Sequence, residues 1–221
     1  MASLKDYLFY EEPGIQLYCG DCREVLPMLP LADLLLTDPP YGIGASNVKR
    51  GGRQDGNSFA PSRMYEASDW DNKPADNELL QLAISKARQA IIFGGNYFCL
   101  GPSSCWLVWD KETGANGYAD AELAWTNLPG AVRLIRHQWK GMFQAFHEER
   151  WHPTQKPIPV IRWAIEKATN IESVLDCFAG SGSTLLAAKE IGHRSIGIEI
   201  EPKYCELTVK RLRQEVLPLG G

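Results

Sequence analysis

Apolar positions in this chain fall into two rhythms, short continuous runs and helical stripes, and the two alternate. "IQLYCGD" (15–21), "ADLLLTD" (32–38), "QAIIFGGNYF" (89–98), "SCWLVWDK" (104–111) and "HRSIGIEI" (193–200) read as buried strands. Leu79, Leu80, Leu82, Ala83, Ile84 and Ala87 give a helical stripe over 75–88, and a second helix is expected over 158–168. "CREVLPMLP" reads as one or two helical turns, and "YADAELAWTN" and "GAVRLIRHQWK" as strands of a less regular region. "ESVLDCFAGSGSTLLAAKEIG" reads as strand, glycine turn and helix, and "EPKYCELTVKRLRQEV" as a closing helix. Strands alternating with helices predict an α/β fold with a mainly parallel sheet covered on both faces.

No internal repeat or linker divides the pattern, so one domain spanning 1–221 is expected. The stretch 42–73 is long and rich in Gly, Ser, Asn and Arg, and reads as a mobile functional loop. With 44% hydrophobic residues, 221 residues suffice for one sizeable core. No apolar run reaches the length of a membrane span, and the first residues lack a signal-peptide pattern, so a cytoplasmic protein is expected.

The net charge of −4 argues against nonspecific coating of nucleic acid, but two local basic patches stand out. One carries Lys49, Arg50, Arg53 and Arg63; the other, "AVRLIRHQWK", carries Arg133, Arg136, His137 and Lys140 without an acid. Either is also compatible with ordinary solvated surface. Six cysteines fit no disulfide framework and read as reduced, mostly buried thiols. "CGDC" (19–22) has redox or zinc spacing, but no second pair exists to complete a structural zinc site, and no metal is expected.

Two stretches carry chemistry. The strand at 33–37 ends in Asp38-Pro39-Pro40-Tyr41, where two prolines remove two backbone donors and stop it. Far along the chain, "DCFAGSGST" places Gly180 and Gly182 in a tight turn before a helix whose first N–H groups can bind an anion. Leu185 stands where a dinucleotide fingerprint has its third glycine, and no Gly-Lys-Ser/Thr follows. Glu199 ends the next strand, where an acid accepts ribose hydroxyls, although it also suits the start of the following helix. These residues describe a pocket for a nucleoside with an anionic group.

Together, Asp38-Pro39-Pro40-Tyr41, "HPTQKP" (152–157) and "DCFAGSGST", in that order, resemble the beta-type S-adenosylmethionine-dependent DNA amino-methyltransferases, which modify adenine N6 or cytosine N4. The resemblance runs from "GDCREVLPML" to "EPKYCELTVKRL". It implies a Rossmann-like methyltransferase fold with circularly permuted motif order and S-adenosylmethionine as methyl donor. Asp176, Phe178, Gly180, Ser181, Gly182, Ser183 and Thr184 would surround the donor's methionine half, and Glu199 its ribose. Asp21 would lie near its adenine, with Thr154 and Lys156 closing the carboxylate end. Asp38, Pro39, Pro40 and Tyr41 would hold the amino group of a flipped base. Double-stranded DNA is the implied partner, contacted by the two basic patches, with 131–151 as a short recognition region; dimerisation is common among such relatives.

In the family, Asp-Pro-Pro-Tyr leans to adenine and Ser-Pro-Pro-Tyr to cytosine, so adenine N6 is expected first and cytosine N4 second. RNA or protein-glutamine methyltransferases use related motifs but generally place the cofactor turn first. A non-catalytic DNA-binding relative is the remaining alternative. A cytosine-C5 enzyme would need a cysteine after proline, and no Pro-Cys occurs.

Overall fold

The computed structural model describes residues 2–42, 74–112, 119–140, 143–144 and 155–214. Strand β1 (Leu8–Glu12) follows a one-turn helix α1 (Leu4–Tyr7) and forms a hairpin with β2 (Ile15–Cys19). Then come α2 (Cys22–Val25), β3 (Ala32–Thr37), α3 (Asn77–Ser85), β4 (Ala87–Phe93), β5 (Leu107–Asp110), β6 (Ala121–Thr126) and β7 (Arg133–Arg136). The chain continues through a small β8 (Trp139–Lys140) and β9 (Phe143–Gln144) ribbon to α4 (Ile158–Ile165), β10 (Ser173–Asp176), α5 (Ser183–Glu190), β11 (Arg194–Glu199) and α6 (Pro202–Leu212).

The main sheet has the order β1-β2-β11-β10-β3-β4-β6-β5-β7. Strands β2, β11, β10, β3 and β4 run parallel, while β1 and β6 are antiparallel to their neighbours. This is the expected Rossmann-like architecture. One connection from β10 leads through α5 to β11 on one side, and one from β3 leads through α3 to β4 on the other. The order therefore switches direction between β10 and β3, where open α/β sheets place their ligands. Leu34–Val174 and Leu35–Leu175 pair there, joining residues about 140 apart in the chain.

Alternation in β3 explains the two layers. Leu35 faces a core with Val25, Leu80, Ala83 and Ile92, covered by α2 and α3. Leu34 and Leu36 face Val160, Ile161, Ala164 and Ala187 from α4 and α5. The third helix on this side, α6, packs Cys205 and Leu212 against Ile15, Leu17 and Leu185.

Most expected elements are present, with instructive differences. The helix expected over 75–88 stops at Ser85, because Ala87 and Arg88 already belong to β4 beside β3. Its start is capped by Asp76, whose side chain accepts from the Leu79 N–H at 2.8 Å. Strand β1 gave no buried pattern; it is an edge strand whose side chains remain largely outside the core. The hairpin turn that forms it is marked by Pro13-Gly14, with Gly14 at φ 83°. Among the described residues, no helix is long and apolar enough to cross a membrane.

Candidate functional site

Six strand ends converge on one edge of the sheet. The parallel strands bring the residues after their last hydrogen bonds: Gly20 and Asp21 after β2, Asp38 after β3, and Gly94 after β4, together with Asp176 and Glu199 at the ends of β10 and β11. Strand β6 runs the other way, so its beginning, with Glu122, arrives at the same edge. A cavity of about 460 Å³ opens there, lined by Asp21, Thr37, Asp38, Pro40, Phe93, Lys156, Asp176, Phe178, Gly180, Ser183, Thr184 and Glu199, among others.

One half of the cavity is built from backbone. Gly180 and Gly182 adopt left-handed conformations, φ 53° and 78°, and Gly182 caps α5. A Cβ on Gly182 would lie 2.5 Å from the Thr208 side chain, so glycine is required there by space as well as by backbone. The turn is fastened from α6: Thr208 Oγ1 donates to the Gly180 carbonyl at 3.0 Å, and the buried Arg211 donates to the Ser181 carbonyl at 2.5 Å. Glu199 accepts from the Gly180 and Glu201 N–H groups, both at 2.8 Å. Burial outweighs those donors and pushes its carboxyl up to about 7. Asp176 accepts from Thr37 Oγ1 at 2.7 Å and the Phe178 N–H at 3.1 Å, and burial again wins, raising it to about 6. Asp21 caps α2, accepting from the Arg23 N–H at 2.8 Å.

The other half is built from side chains. Asp38 accepts from the Tyr41 hydroxyl on Oδ1 and from Lys156 Nζ on Oδ2, the latter at 2.5 Å. The same ammonium lies 3.1 Å from Glu122, whose other oxygen pairs with Lys111 at 2.5 Å. Burial opposes the charge on Lys156, but Asp38 and Glu122 outweigh it and hold the ammonium protonated well above its ordinary range. Burial raises the Asp38 carboxyl, and Lys156 works against that rise. The Tyr41 ring stacks on Tyr97 at 4.9 Å between centroids and meets Phe98 edge-on. Gly94, at φ 64°, lets the ring lie against the backbone, since a Cβ there would be 2.1 Å from Tyr41 Cε1. The Pro40 carbonyl is engaged by the Ala75 N–H at 3.0 Å, whereas Pro39 is buried and does not line the cavity.

Of the residues singled out from sequence, Asp21, Asp38, Pro40, Lys156, Asp176, Phe178, Gly180, Ser181, Ser183, Thr184 and Glu199 line the cavity. Tyr41 and Gly182 shape it from behind through the contacts above. Thr154, Lys49, Arg50, Arg53 and Arg63 lie outside the described residues, as do 43–73 and most of 141–151. Arg133 and Arg136 are exposed on the edge strand β7, Arg136 facing Asp110 at 3.4 Å; Lys140 lies in β8. Four of the six cysteines, Cys22, Cys105, Cys177 and Cys205, are buried, and all six are free. Burial pushes the Cys22 thiol up to about 12, so this half of "CGDC" is an inert core group. Among the described residues, no group of His, Cys, Asp and Glu is arranged to hold a metal ion.

Sequence reasoning missed Glu122, Tyr97 and Arg211. Glu122 opens a strand that reads as ordinary alternation, and Tyr97 follows a glycine pair that reads as a strand end. Arg211 lies in a helix whose charges read as surface, with no local sign that one of them turns inward.

A family model described as DNA methylase matches residues 104–210. YubD of Escherichia coli (strain K12), named as a methylase, is 29% identical over 215 residues, covering 87% of this chain and 88% of its own. The M1.HpyAVI–SAM complex superimposes with a TM-score of 0.57 at 22% identity, covering 90% of this chain and 99% of its own. PvuII DNA methyltransferase, described as cytosine-N4-specific, superimposes with a TM-score of 0.55 at 15% identity, covering 92% of this chain and 88% of its own.

Proposed function

We propose that this chain is an S-adenosylmethionine-dependent DNA methylase of the N6/N4 type and methylates the exocyclic amino group of a base flipped out of duplex DNA, with adenine N6 as acceptor. The observation that carries the reading is the meeting of Asp38 and the glycine turn in one cavity, although Gly180 lies 142 positions further along the chain. The cavity suits the methyl donor chemically. Its walls are largely apolar with a few converging polar groups, as in small-molecule sites generally. Glu199 stands where ribose hydroxyls would donate, Asp21 at the neighbouring strand end, and the start of α5 offers N–H groups to a carboxylate. Asp176, Phe178, Ser181, Ser183 and Thr184 complete that wall, with Thr154 assigned to the far end of the donor.

Bound S-adenosylmethionine supplies an electrophilic methyl group on a sulfonium sulfur. The chain's task is to present a nitrogen whose lone pair is delocalised into a base ring. Asp38 and the Pro39 carbonyl accept its two N–H groups, and Pro40, with its own carbonyl engaged by Ala75, holds Pro39 in place. Tyr41, backed by Tyr97, offers an aromatic face to the flipped base. Positioning of this kind accounts for up to about 7–11 kcal/mol of a barrier. Arg133, Arg136 and Lys140, together with Lys49, Arg50, Arg53 and Arg63, supply phosphate contacts. We assign the work to one domain in the cytoplasm, acting on double-stranded DNA alone or as a homodimer.

Cytosine N4 is the second reading, favoured by the structural likeness to the cytosine-N4-specific PvuII enzyme. Incubation with labelled S-adenosylmethionine and unmethylated duplex DNA, followed by nucleoside mass spectrometry, decides between them. N6-methyladenine is expected. N4-methylcytosine would transfer the assignment to the second reading, and label in RNA or protein but never in DNA would end both.

A further inference from the structure

Both oxygens of Asp38 have protein donors, Tyr41 on one and Lys156 on the other. A carboxylate bound to an ammonium is a weak acceptor for an amino group and a weak base for its proton. The groups facing Asp38 are Tyr41 from its own turn, Lys156 from the segment before α4, Glu122 from β6 and Asp176 from β10, with Lys111 behind Glu122. Among these, Glu122 is arranged unusually. Lys111 holds its Oε1, while Oε2 is buried and, among the described residues, has Lys156 Nζ as its ion-pair partner at 3.1 Å without a well-aligned hydrogen bond. An oriented acceptor without an aligned donor, beside a shared cation, is a second seat for that cation.

We propose that Glu122 is a positioning residue that takes the Lys156 ammonium from Asp38 as the amino group of the base arrives. The proposal rests on the amino-methyltransferase reading above. Handing Lys156 to Glu122 frees Asp38 Oδ2 to accept an N–H and raises the proton affinity of Asp38 when it is needed. In the transfer, the methyl–sulfur bond breaks and a methyl–nitrogen bond forms. The sulfonium becomes a neutral thioether, and the extra proton on nitrogen passes to Asp38 and then to water. Throughout, Lys156 stays paired and buried. Against the effect of burial, Lys156 itself, and Lys111 after it, hold the Glu122 carboxyl below its ordinary range, so Glu122 is ionised and can compete for the ammonium.

The test compares wild type, Glu122→Gln, Glu122→Asp and Lys111→Met in the full chain, with kcat followed against pH on unmethylated duplex DNA. Glu122→Gln leaves Lys156 on Asp38, so kcat should fall about tenfold or more while the KM for S-adenosylmethionine stays within about twofold. The acid limb of the profile should move down by about one pH unit, since a negative neighbour that raises Asp38 has been removed. Glu122→Asp should restore part of kcat. Lys111→Met should move the acid limb the other way, because Glu122 then attracts Lys156 more strongly. A lowered melting temperature with an unmoved pH profile would make Glu122 merely structural and overturn the proposal. A readout independent of turnover is the carboxyl ¹³C titration of Asp38, assigned with Asp38→Asn, in the protein without cofactor. If wild type methylates no DNA, the functional reading fails, whereas an Asp38 midpoint unchanged between wild type and Lys111→Met defeats the coupling itself.

Discussion

The two halves of the cavity hold their carboxylates by different means. Glu199 and Asp176 sit at strand ends and are held mainly by neighbouring backbone N–H groups and by Thr37. Asp38 is held by a lysine from 118 residues away and by Tyr41, and that lysine is shared with Glu122. Backbone partners cannot leave without unmaking the strand or the turn, so the first half is a preformed cradle. Side-chain partners can exchange, so the second half can rearrange around a substrate. A binding pocket gains from the first arrangement, because preorganisation lowers the cost of association. A reaction that changes charge at one nitrogen gains from the second.

The most severe way to separate the halves is to remove Asp38. Asp38→Ala should lower kcat by roughly 10²–10³-fold, a loss of the size seen when one oriented transition-state partner is deleted. Its affinity for S-adenosylmethionine, measured by calorimetry, should change less than twofold. A matching loss of cofactor affinity would show that the halves are one rigid unit and erase the distinction.

Gly94→Ala probes the exchangeable half through its aromatic wall. The added methyl has no space beside Tyr41 and imposes a strained backbone at φ 64°. The ring must shift, and a displacement of about 1 Å can cost on the order of 10²-fold in rate. Cofactor binding should again be largely retained. Full activity would mean that the Tyr41–Tyr97 stack is not where the base is held.

The cradle is expected to show itself in pH dependence. Glu199 and Asp176 titrate in the folded protein at about 7 and about 6, above ordinary carboxylates, because both are buried. Raised carboxyl pKa values mean the folded state binds protons more tightly than the unfolded one. The contribution of these two groups to stability without cofactor should therefore be fully present below the ordinary carboxylate range. It should decline as pH rises from about 4 through 7. Ribose hydroxyls, in contrast, need an ionised Glu199, so cofactor affinity should rise as pH passes about 7. Glu199→Gln should flatten that rise and weaken binding about tenfold, roughly 1.4 kcal/mol. Affinity independent of pH in the wild type would remove Glu199 from the ribose.

The same contrast explains what could be read from the sequence. The cradle is local: "VLDCFAGSGST" and "SIGIEI" each contain a strand, its terminal acid and the residues that follow it, so their placement at the sheet edge could be read from the sequence. Asp38 was legible as a strand stop, and its partner Lys156 as part of a separate motif, but nothing in either stretch says that they touch. Glu122 was invisible because its role depends on β6 running antiparallel, which brings the start of that strand rather than its end to the cavity. Read as part of a parallel sheet, "AELAWT" would have placed Glu122 at the opposite edge. The outer strand β1 escaped for the opposite reason: without a buried face it has no hydrophobic pattern to read.

Thr37 joins the halves through a hydrogen bond, and removing it is the mildest test. It ends β3 directly before Asp38, is fully buried, and donates to Asp176 Oδ1 at 2.7 Å. Thr37→Val keeps the shape and the β preference while deleting the donor. Asp176 then loses a partner that stabilises its ionised form, so its pKa should rise further. The loss of one buried hydrogen bond should cost about 1–2 kcal/mol of stability. Because Val fills the same space, Asp38 should keep its place, and kcat at alkaline pH should stay within about threefold of wild type. A much larger kcat loss would mean that Thr37 carries information between the halves, and that cradle and clamp act as a single device.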